Sequence, residues 1–518
     1  MINFKTMYNK IMKLNQIIGH AVIFIAALSG VILFYGCAPV TNYVYINSSS
    51  EYEEETAFLE TILTSGDLSA HGLQLLPSGH DINAGEKDSH PAFYIDFFTS
   101  WENEVNNEDI ILSRKIFIPY DDVLEGRTDT TLEACLSGKE NLIQIDELEP
   151  PFTAIRVNGF AVGDEGYPLV QVVSVRINID DSKKTDKSIL KNLDHLRNAI
   201  IDAPKTLIQS MPEPLWIAVG GDTMLERGAT ELLFEEGPAA IFGETAKMLA
   251  LADIALLNLE GVISARGERV PKSYNFRFVP EIAAALKNAG IDAVLHANNH
   301  VFDYGEQAFL DSLSWLNKAG IGIAGAGVDD NAASDPYIHK KGDQVCRVFG
   351  IASFPRENNG WDGETAAAGP ERAGMLHARR GGVEKLKQKF APNSLNVVLF
   401  HGGVEWSTKP DAATRALYTD LIASGADLVI GTHPHVVQGF EWVLGKPVFW
   451  SLGNYVFGQM NGFFTGDEGL FVRLGFWHGK LLYMEPFPIF LNDIRTDIVS
   501  KDKLKVFYER SRELRKAN

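Results

Sequence analysis

The chain has 518 residues, of which 45% are hydrophobic and 22% charged, so it is long enough for two or three globular domains and is not disordered as a whole. Its formal net charge of -20 offers no basic surface to attract a phosphate backbone, which excludes nucleic acid as an expected partner. An anionic substrate remains compatible with this charge, because bound cations reverse the local potential.

The N-terminus has the pattern of a secretion signal or a membrane anchor. Three lysines precede an apolar stretch over residues 17–35, which is long enough to span a bilayer. Cys37 follows and resembles the acylated cysteine of bacterial lipoproteins, although Phe34 stands where their signals usually have Leu. Residues 1–37 are therefore predicted to be a lipoprotein signal, with lipidation at Cys37, or an uncleaved anchor. Both place the rest of the chain in a bacterial cell envelope, on the outer side of the cytoplasmic membrane.

Two segments separate this N-terminus from the second half of the chain. Residues 38–56, with an SSS run and an EYEEE run, have the composition of a polar linker. Residues 57–205 mix helical and strand patterns and are predicted to form a small α/β domain of unknown role. Cys135 and Cys346 then fall in different predicted domains, so no disulfide framework is expected.

From residue 215 to about residue 490, helices and strands alternate regularly. The segments EIAAALKNAG, GEQAFLDSLSWLNKAG and RALYTDLIASGA have helical spacing, end at Gly or Gly-Ala and precede apolar strands. This alternation predicts βα units around a largely parallel sheet. Residues 491–518 are predicted to form a C-terminal amphipathic helix that packs on the domain rather than on a membrane.

Five apolar runs in this region end at residue types that bind metals. Strands buried on both faces are typical of parallel sheets, and ligands bind at the carboxyl ends of such strands. The residues concerned are Asp222 in IAVGGD, Glu260 in IALLNLE, Asn299 and His300 in AVLHANNH, His401 in NVVLFH, and His433 and His435 in DLVIGTHPH. If the runs lie side by side, these groups meet at one edge of the sheet.

The types of side chain at this edge indicate which metals would bind there. Imidazole, carboxylate and amide-oxygen ligands together suit Mn, Fe or Zn better than Ca or Mg. His433 and His435 flank Pro434, and in an extended segment their side chains would point to the same side. Asp222 could instead cap the following helix, and any single histidine could be an ordinary buried residue. Several such residues at strand ends favour a metal cluster.

Six sequence blocks in this region resemble the CapA family. The blocks are GGDTMLERG, LLNLEGVIS, HANNHVFDYG, HGGVEW, GADLVIGTHPHVVQGFE and SLGNYVF. That family is linked to poly-γ-glutamate capsule synthesis and belongs to the calcineurin-like metallophosphoesterase superfamily. The resemblance covers residues 215–490 and implies a layered α/β sandwich there, with the smaller N-terminal α/β domain as a separate unit.

The resemblance also implies roles for individual residues of these blocks. Two divalent transition metal ions, Mn, Fe or Zn, would be bound by Asp222, Glu260, Asn299, His401, His433 and His435. His300 would donate a proton to the leaving group, and Asp303 would orient it unless it serves only the following turn. Met224 stands where the superfamily has a histidine, so one metal position is expected to be weak or empty. Gly402 stands where the family often has Trp.

Five more residues are candidates for supporting contacts. Arg227, Lys272 and Arg277 are candidate contacts for an anionic substrate, with a solvated surface charge as the alternative for each. Glu405 and Asn454 are expected near the metal ligands, with a purely structural role as the alternative.

The sequence thus predicts an extracytoplasmic, membrane-tethered, metal-dependent hydrolase or transferase. Its substrate would be an anionic envelope polymer or a precursor, with poly-γ-glutamate as the expected polymer. One alternative is a non-catalytic, metal-containing component that binds the polymer while partner proteins synthesise and export it. Another is a general metallophosphatase acting on a phosphorylated small molecule, since a fold alone does not determine a reaction.

Overall fold

The computed structural model describes residues 42–47, 52–65, 73–75, 93–106, 108–165, 167–180, 187–203, 211–354, 356, 361–458 and 466–516. The predicted signal or anchor and Cys37 lie outside the described residues. Within these ranges, no helix combines the length and the apolar character needed to cross a membrane. The chain divides into two compact units, Met1–Phe117 with Pro168–Met211, and Ile118–Tyr167 with Pro212–Asn518.

The first unit is a mixed sheet that packs against two helices. Its strands, in spatial order, are Leu73–Leu75, Asn42–Asn47, Phe93–Trp101, Val170–Ile179 and the first part of Ile110–Asp122. The helices Glu53–Ser65 and Lys187–Ile201 share a core with this sheet, in which Leu59, Phe93 and Leu196 are buried. The α/β composition predicted for this part of the chain is therefore present.

The boundaries of the units differ from the predicted domain at residues 57–205. Residues 118–167 belong to the second unit, where the Val162 N–H donates to the Tyr483 hydroxyl at 2.9 Å and Arg156 pairs with Glu485. Their elements are the strands Asp129–Thr130, Leu142–Gln144, Phe152–Ala154 and Arg156–Val157 and the helix Leu132–Leu136. The sequence gives no sign of this boundary, because the strand Ile110–Asp122 runs across it without a break.

The second unit is built on two large sheets. Their strands, numbered in chain order, are β1 (Leu215–Met224), β2 (Ile254–Leu259), β3 (Ala293–Leu295), β4 (Gly322–Ala324), β5 (Tyr337–Lys341), β6 (Gln344–Ser353), β7 (Leu395–Gly402), β8 (Leu428–Thr432), β9 (Val437–Val443), β10 (Lys446–Leu452), β11 (Asn454–Phe457), β12 (Glu468–Trp477), β13 (Lys480–Asn492) and β14 (Arg495–Ile498). Two short ladders lie in the connections, Val262–Ile263 with Arg277–Phe278 and Ala326–Gly327 with Gly374–Met375.

Both sheets have a parallel centre. The first has the order β4-β3-β2-β1-β12-β13-β14, with β11 also paired to β1, and its strands β1 to β4 are parallel. The second has the order β5-β6-β7-β8-β10-β9, with β6, β7, β8 and β10 parallel. The predicted α/β class is confirmed. The five apolar runs do not lie in one sheet, however, because three belong to the first sheet and two to the second.

The two sheets pack face to face, and helices cover their outer faces. The core between them includes Val219 and Leu256 from the first sheet and Leu399 and Ile430 from the second. The helices over the first sheet are Ala229–Glu236, Pro238–Phe242, Thr245–Leu251, Ile282–Asn288 and Gly305–Ala319, and those over the second are Asp330–Ser334, Gly382–Lys387 and Ala412–Ala423. This is a layered α/β sandwich, as expected.

The C-terminal helix is shorter than the predicted segment at residues 491–518. It spans Leu504–Lys516, because the preceding residues complete β13 and form β14. Its apolar side, with Phe507 and Leu514, is buried. The Ser511 hydroxyl accepts a hydrogen bond from the Phe440 N–H of β9 at 2.8 Å. The helix therefore packs on the domain, as its amphipathic pattern predicts.

Candidate metal centre

Two buried carboxylates lie side by side at the carboxyl ends of β1 and β2. Asp222 is on β1 and Glu260 directly follows β2, and neither is accessible to solvent. The Asn258 amide donates to Asp222 Oδ1 at 2.7 Å and lies 3.4 Å from Glu260 Oε2. Two carboxylates this close and this buried repel each other, so a positive charge between them would stabilise the arrangement.

The glycines before Asp222 leave room beside β1 for the backbone of a neighbouring strand. A Cβ on Gly221 would lie 2.0 Å from the Gly453 carbonyl oxygen. The same carbonyl accepts a hydrogen bond from the Asp222 N–H at 3.1 Å. The Gly-Gly before Asp222 therefore allows the strand containing Asn454 to approach Asp222 closely.

One group of nitrogen and oxygen donors surrounds His401, which ends the apolar part of β7. His401 Nε2 lies 3.0 Å from Asn299 Oδ1 and 3.1 Å from His433 Nδ1. Asp222, Glu260 and His401 each place one ligand atom within 4.8 Å of the other two. Residues from both sheets thus meet at one place, although the sequence placed them on a single sheet edge.

The backbone around Pro434 is not extended, which corrects the conformation predicted for His433 and His435. The strand β8 stops at Thr432, and the two histidines have φ values of 94° and 56°. Such left-handed conformations cost about 1–3 kcal/mol each in residues other than glycine and are common at functional sites. The Pro434 carbonyl accepts from the Trp406 N–H at 2.9 Å, and the His433 N–H lies 3.2 Å from Asp222 Oδ2, so two hydrogen bonds to distant parts of the chain hold the bend.

A second group of donors surrounds His435. Its Nδ1 lies 3.2 Å from Asp222 Oδ2 and 2.8 Å from Asn454 Oδ1. Its Nε2 lies 3.8 Å from Glu260 Oε1. Glu260 therefore borders both groups, and its Oε1 atom is buried without a hydrogen-bond donor among the described residues.

The electrostatics of the cluster fit a site for cations. Burial, reinforced by Asp222, raises the pKa of Glu260 well above its ordinary value. Burial and the neighbouring imidazoles lower the pKa of His401 and of His433. Burial would also lower the pKa of His435, but Glu260 and Asp222 outweigh it and raise this pKa to about 10. Protonation alone compensates the charges of these carboxylates and imidazoles poorly. Divalent metals, by contrast, bind ionised carboxylates and neutral imidazoles together.

His300 and Asp303 form a hydrogen-bonded pair beside the cluster. His300 Nδ1 lies 2.6 Å from Asp303 Oδ2, and His300 Nε2 lies 3.6 Å from Glu260 Oε1. Asp303 also accepts a hydrogen bond from the Phe276 N–H at 2.7 Å. Asp303 therefore fixes one ring nitrogen of His300 and leaves the other directed at the cluster, in the arrangement predicted from the sequence.

The Lys272 ammonium group is held by neighbouring residues of the second unit. Its ammonium group donates to Asp303 Oδ1 at 2.9 Å and to the Asn299 carbonyl at 2.5 Å. It also lies 4.3 Å from the centre of the Trp361 ring. The structure therefore places Lys272 behind Asp303 and Asn299, where it supports their positions.

The two arginines predicted as substrate contacts lie on the His300 side of the site. Arg227 has φ 58°, donates to the Gly458 carbonyl at 2.6 Å and lies 5.7 Å from the Phe276 ring centre. Phe276 packs against His300 at 4.3 Å. Arg277 stacks over Tyr304 at 4.2 Å. Arg227 is therefore linked to His300 through Phe276, whereas Arg277 contacts the residue that follows Asp303.

Glu405 directly precedes Trp406, whose ring lies 5.3 Å from that of His435. It is exposed, and its charge acts on both Glu260 and His435. Asn454, by contrast, is fully buried and lies within hydrogen-bonding distance of His435. The two candidate supporting residues therefore occupy different positions, one at the rim of the site and one inside it.

The two departures from the family pattern have structural explanations. Met224 is buried, and its sulfur accepts from the Glu226 N–H at 3.2 Å, so it adds no imidazole to the site. A Cβ on Gly402 would lie 1.7 Å from the Ser353 carbonyl oxygen. With this backbone, no larger residue fits at position 402, and Trp406 instead lies over His435 at 5.3 Å.

Aromatic side chains around the imidazoles were not predicted from the sequence. Phe354 lies 6.2 Å from His401 and 5.9 Å from His433, and Phe457 lies 5.1 Å from His435. Trp406 and Phe457 are within two of the recognised blocks, HGGVEW and SLGNYVF, and could have been proposed on that basis. Phe354 lies outside all six blocks, and nothing local in the sequence marks it.

Comparisons with known proteins agree with the sequence blocks. The family model described as "Bacterial capsule synthesis protein PGA_cap" matches residues 216–459. The PGA biosynthesis protein CapA of Bacillus subtilis (strain 168) is 26% identical over 288 residues, which are 55% of this chain and 74% of that protein. The capsule biosynthesis protein CapA of Bacillus anthracis is 28% identical over 257 residues, covering 48% of this chain and 61% of that protein.

A third relative comes from a different group of bacteria. The probable polyglutamine synthesis accessory protein of Mycobacterium tuberculosis (strain ATCC 25618 / H37Rv) is 27% identical over 289 residues, which are 47% of this chain and 75% of that protein. The resemblance to the CapA family that the sequence blocks indicate is confirmed over residues 216–459.

Proposed function

We propose that this CapA-family chain is a metal-dependent hydrolase or transferase that acts on an anionic polymer or its precursor in poly-γ-glutamate capsule synthesis. One observation carries the proposal. Two groups of buried donors adjoin Glu260, and the His300–Asp303 pair faces the same carboxylate. The names of the Bacillus relatives support the polymer, and the donor set supports metal chemistry.

The chain would hold the ions with side chains from both sheets. Asn299, His401 and His433 form the donors of one position, and Asp222 and His435 those of the other, with Glu260 beside both. Divalent cations bound there would act as Lewis acids on a phosphoryl or acyl oxygen of the substrate and would activate water. The low dielectric of this buried site would strengthen those interactions.

His300 would supply the proton for the leaving group. Asp303 holds Nδ1, so Nε2 is the ring atom that faces the cluster and can donate. The carboxylate of Asp303 would also stabilise the imidazolium form that must exist before the proton is given up. A positioned general acid of this kind contributes about 10²–10⁴-fold to the rate.

An acidic polymer must approach a chain that is itself acidic. Arg227 and Arg277 lie on the His300 side, where cations at the cluster would add to their positive potential. Aromatic rings at the histidines would exclude water from the reacting groups. These features support a substrate that carries carboxylate or phosphate groups.

The proposal is tested with the purified full chain, loaded with Mn²⁺ or Zn²⁺, on phosphoesters and γ-glutamyl oligomers. His300→Ala should lose about 10²–10⁴-fold in turnover while keeping its metal content and thermal stability. His478→Ala, which removes an exposed histidine, is the matched control. If the wild-type chain binds metal and polymer but turns over none of these substrates, the protein is a non-catalytic polymer-binding component instead.

We also propose that the protein acts on the outer side of the cytoplasmic membrane. The support is the lysine-flanked apolar stretch over residues 17–35 and Cys37. Metabolic labelling with palmitate and membrane fractionation test this placement. A wild-type chain that is labelled, with Cys37→Ala unlabelled, indicates a lipoprotein. A chain that stays in the soluble cytoplasmic fraction contradicts the proposal.

A further inference from the structure

The donor group around His435 has one ligand fewer than the resemblance to the family implies. The resemblance implies a histidine two residues after Asp222, but this chain has Met224, whose sulfur is turned toward the Glu226 N–H. A thioether is a soft ligand that favours Cu(I), and it would not replace an imidazole for Mn, Fe or Zn. The strand β1 therefore supplies only the Asp222 carboxylate.

A buried amide from the neighbouring strand lies beside this carboxylate. Asn454 is the first residue of β11, and it is the register partner of Asp222 in the parallel pairing of β1 with β11. Its Oδ1 atom lies 2.8 Å from His435 Nδ1, which is 3.2 Å from Asp222 Oδ2. Three donors from β1, β11 and the segment after β8 thus converge on one point.

The orientation of the Asn454 amide follows from its other bond. Nδ2 donates to the Gly466 carbonyl at 2.7 Å, which only the nitrogen of the amide can do. The oxygen must therefore face His435 and Asp222. Gly221 and Gly453 permit this approach, since a side chain on Gly221 would collide with the Gly453 carbonyl.

We propose that Asn454 is a metal ligand, and that its amide oxygen fills the position that Met224 leaves open. The other donor group also pairs an amide oxygen with an imidazole nitrogen, since Asn299 Oδ1 lies 3.0 Å from His401 Nε2. Each cation would then receive one amide oxygen and at least one imidazole, with Glu260 adjacent to both. The inference rests on the proposed metal centre but does not require that the protein be a catalyst.

The competing explanation is that Asn454 accepts a hydrogen bond from His435 and only orients that ring. Metal titration separates the two roles. The metal-free full chain is titrated with Mn²⁺, and bound metal is measured by equilibrium dialysis with elemental analysis. The wild type should bind two equivalents. Asn454→Ala should keep one equivalent, and the second should bind at least tenfold more weakly. Asn396→Ala removes an equally buried amide at the start of β7 and should bind both.

A rescue variant makes the test specific for a ligand. In Asn454→Ala combined with Met224→His, the new imidazole would replace the missing ligand, so the second equivalent should return. A hydrogen bond to His435 would not be restored by this change. Failure of the folded double variant to regain the second ion would therefore overturn the proposal.

A second measurement covers the case in which the double variant does not fold. In the Co²⁺-loaded chain, Asn454→Asp exchanges an amide for a carboxylate, so the cobalt d–d absorption should shift if residue 454 touches the ion. Unchanged bands would overturn the proposal, as would a wild-type chain that saturates with one equivalent. A wild-type chain that binds no metal would remove the proposed function as well, whereas an Asn454→Ala chain with two tight ions would remove only this inference.

Discussion

Lys272 and Asp303 form an ion pair that solvent does not reach, with Nζ 2.9 Å from Oδ1 and side chains only 1% and 0% exposed. Lys272→Met would leave the Asp303 carboxylate buried without its cation. Breaking such a pair costs about 3–5 kcal/mol of the free energy of unfolding. Urea denaturation of the metal-loaded chain measures this loss. Arg266→Met is the control, because the Arg266 side chain is 64% exposed in its pair with Asp311 and should contribute about 0–1 kcal/mol. Unchanged stability with a raised KM would instead identify Lys272 as a substrate contact.

Removal of metal should destabilise the wild-type chain and leave a Glu260 variant almost unaffected. Glu260 is fully buried beside Asp222, so without a cation its charge opposes folding. An ion present at 100 times its Kd would contribute about 2.7 kcal/mol. Chelation should therefore lower the Tm of the wild type clearly. Glu260→Gln should show little change on chelation and a higher metal-free Tm than the wild type. Glu235→Gln, at an exposed position of the helix Ala229–Glu236, should behave like the wild type.

Acid should destabilise the metal-free chain in part through His296. Burial lowers the pKa of His296 to about 4, whereas in the unfolded chain it is close to 6.5. As the pH falls, the unfolded chain takes up this proton first. The stability provided by the neutral ring is therefore complete above about pH 6.5 and is lost toward pH 4. The loss amounts to about 1.4 kcal/mol for each pH unit.

His296→Phe should reduce this acid sensitivity, because the ring stacks on Phe309 at 6.1 Å and phenylalanine can keep that contact. The free energy of unfolding of both chains is measured in urea between pH 7 and pH 4.5, in the presence of a chelator. His478→Phe, at an exposed position, is the matched control. If His296→Phe and the wild type lose stability equally, protonation of His296 is not responsible.

Gly221→Ala should strongly destabilise the second unit. The added methyl group would lie 2.0 Å from the Gly453 carbonyl oxygen, so β1 and β11 would have to separate. Overpacking of this kind usually costs about 1–3 kcal/mol, and metal affinity should fall as well because Asp222 and Asn454 move. Gly369→Ala is the control, because the added Cβ there would meet only Arg372 Cβ, at an ordinary contact distance of 3.7 Å. Equal losses of stability in the two variants would mean that the contact with the Gly453 carbonyl does not cause the destabilisation.

The sequence was sufficient to predict the α/β class and the residues that form the cluster. Runs such as NVVLFH and DLVIGTHPH place polar residues directly after buried strands, and a parallel centre brings the ends of such strands together. It could not distinguish one sheet from two, since a buried parallel strand has the same pattern in either. The face-to-face packing of the two sheets, which places Val219 and Leu399 in one core, is a property of the whole chain.

The errors at individual residues have a similar origin. The alternative of a solvated surface charge does not hold for Lys272, because the folded chain buries its ammonium group against Asp303 and Asn299. His433 and His435 were predicted to be extended, but the bend at Pro434 is held by Asp222 and Trp406, which are distant in sequence. The boundary at residue 118 was missed because a single strand continues through it.

The division of the donors between two sheets has a mechanical consequence. One sheet provides Asp222, Glu260 and Asn299, and the other provides His401, His433 and His435. The apolar layer between the sheets therefore sets the distances between the donors of the two halves. Protein interiors are close-packed, and a change of one methylene there is felt by neighbouring groups. A substitution such as Leu399→Ala, which removes no donor, would then alter metal affinity. The metal affinity itself would report how well the two halves of the interior fit.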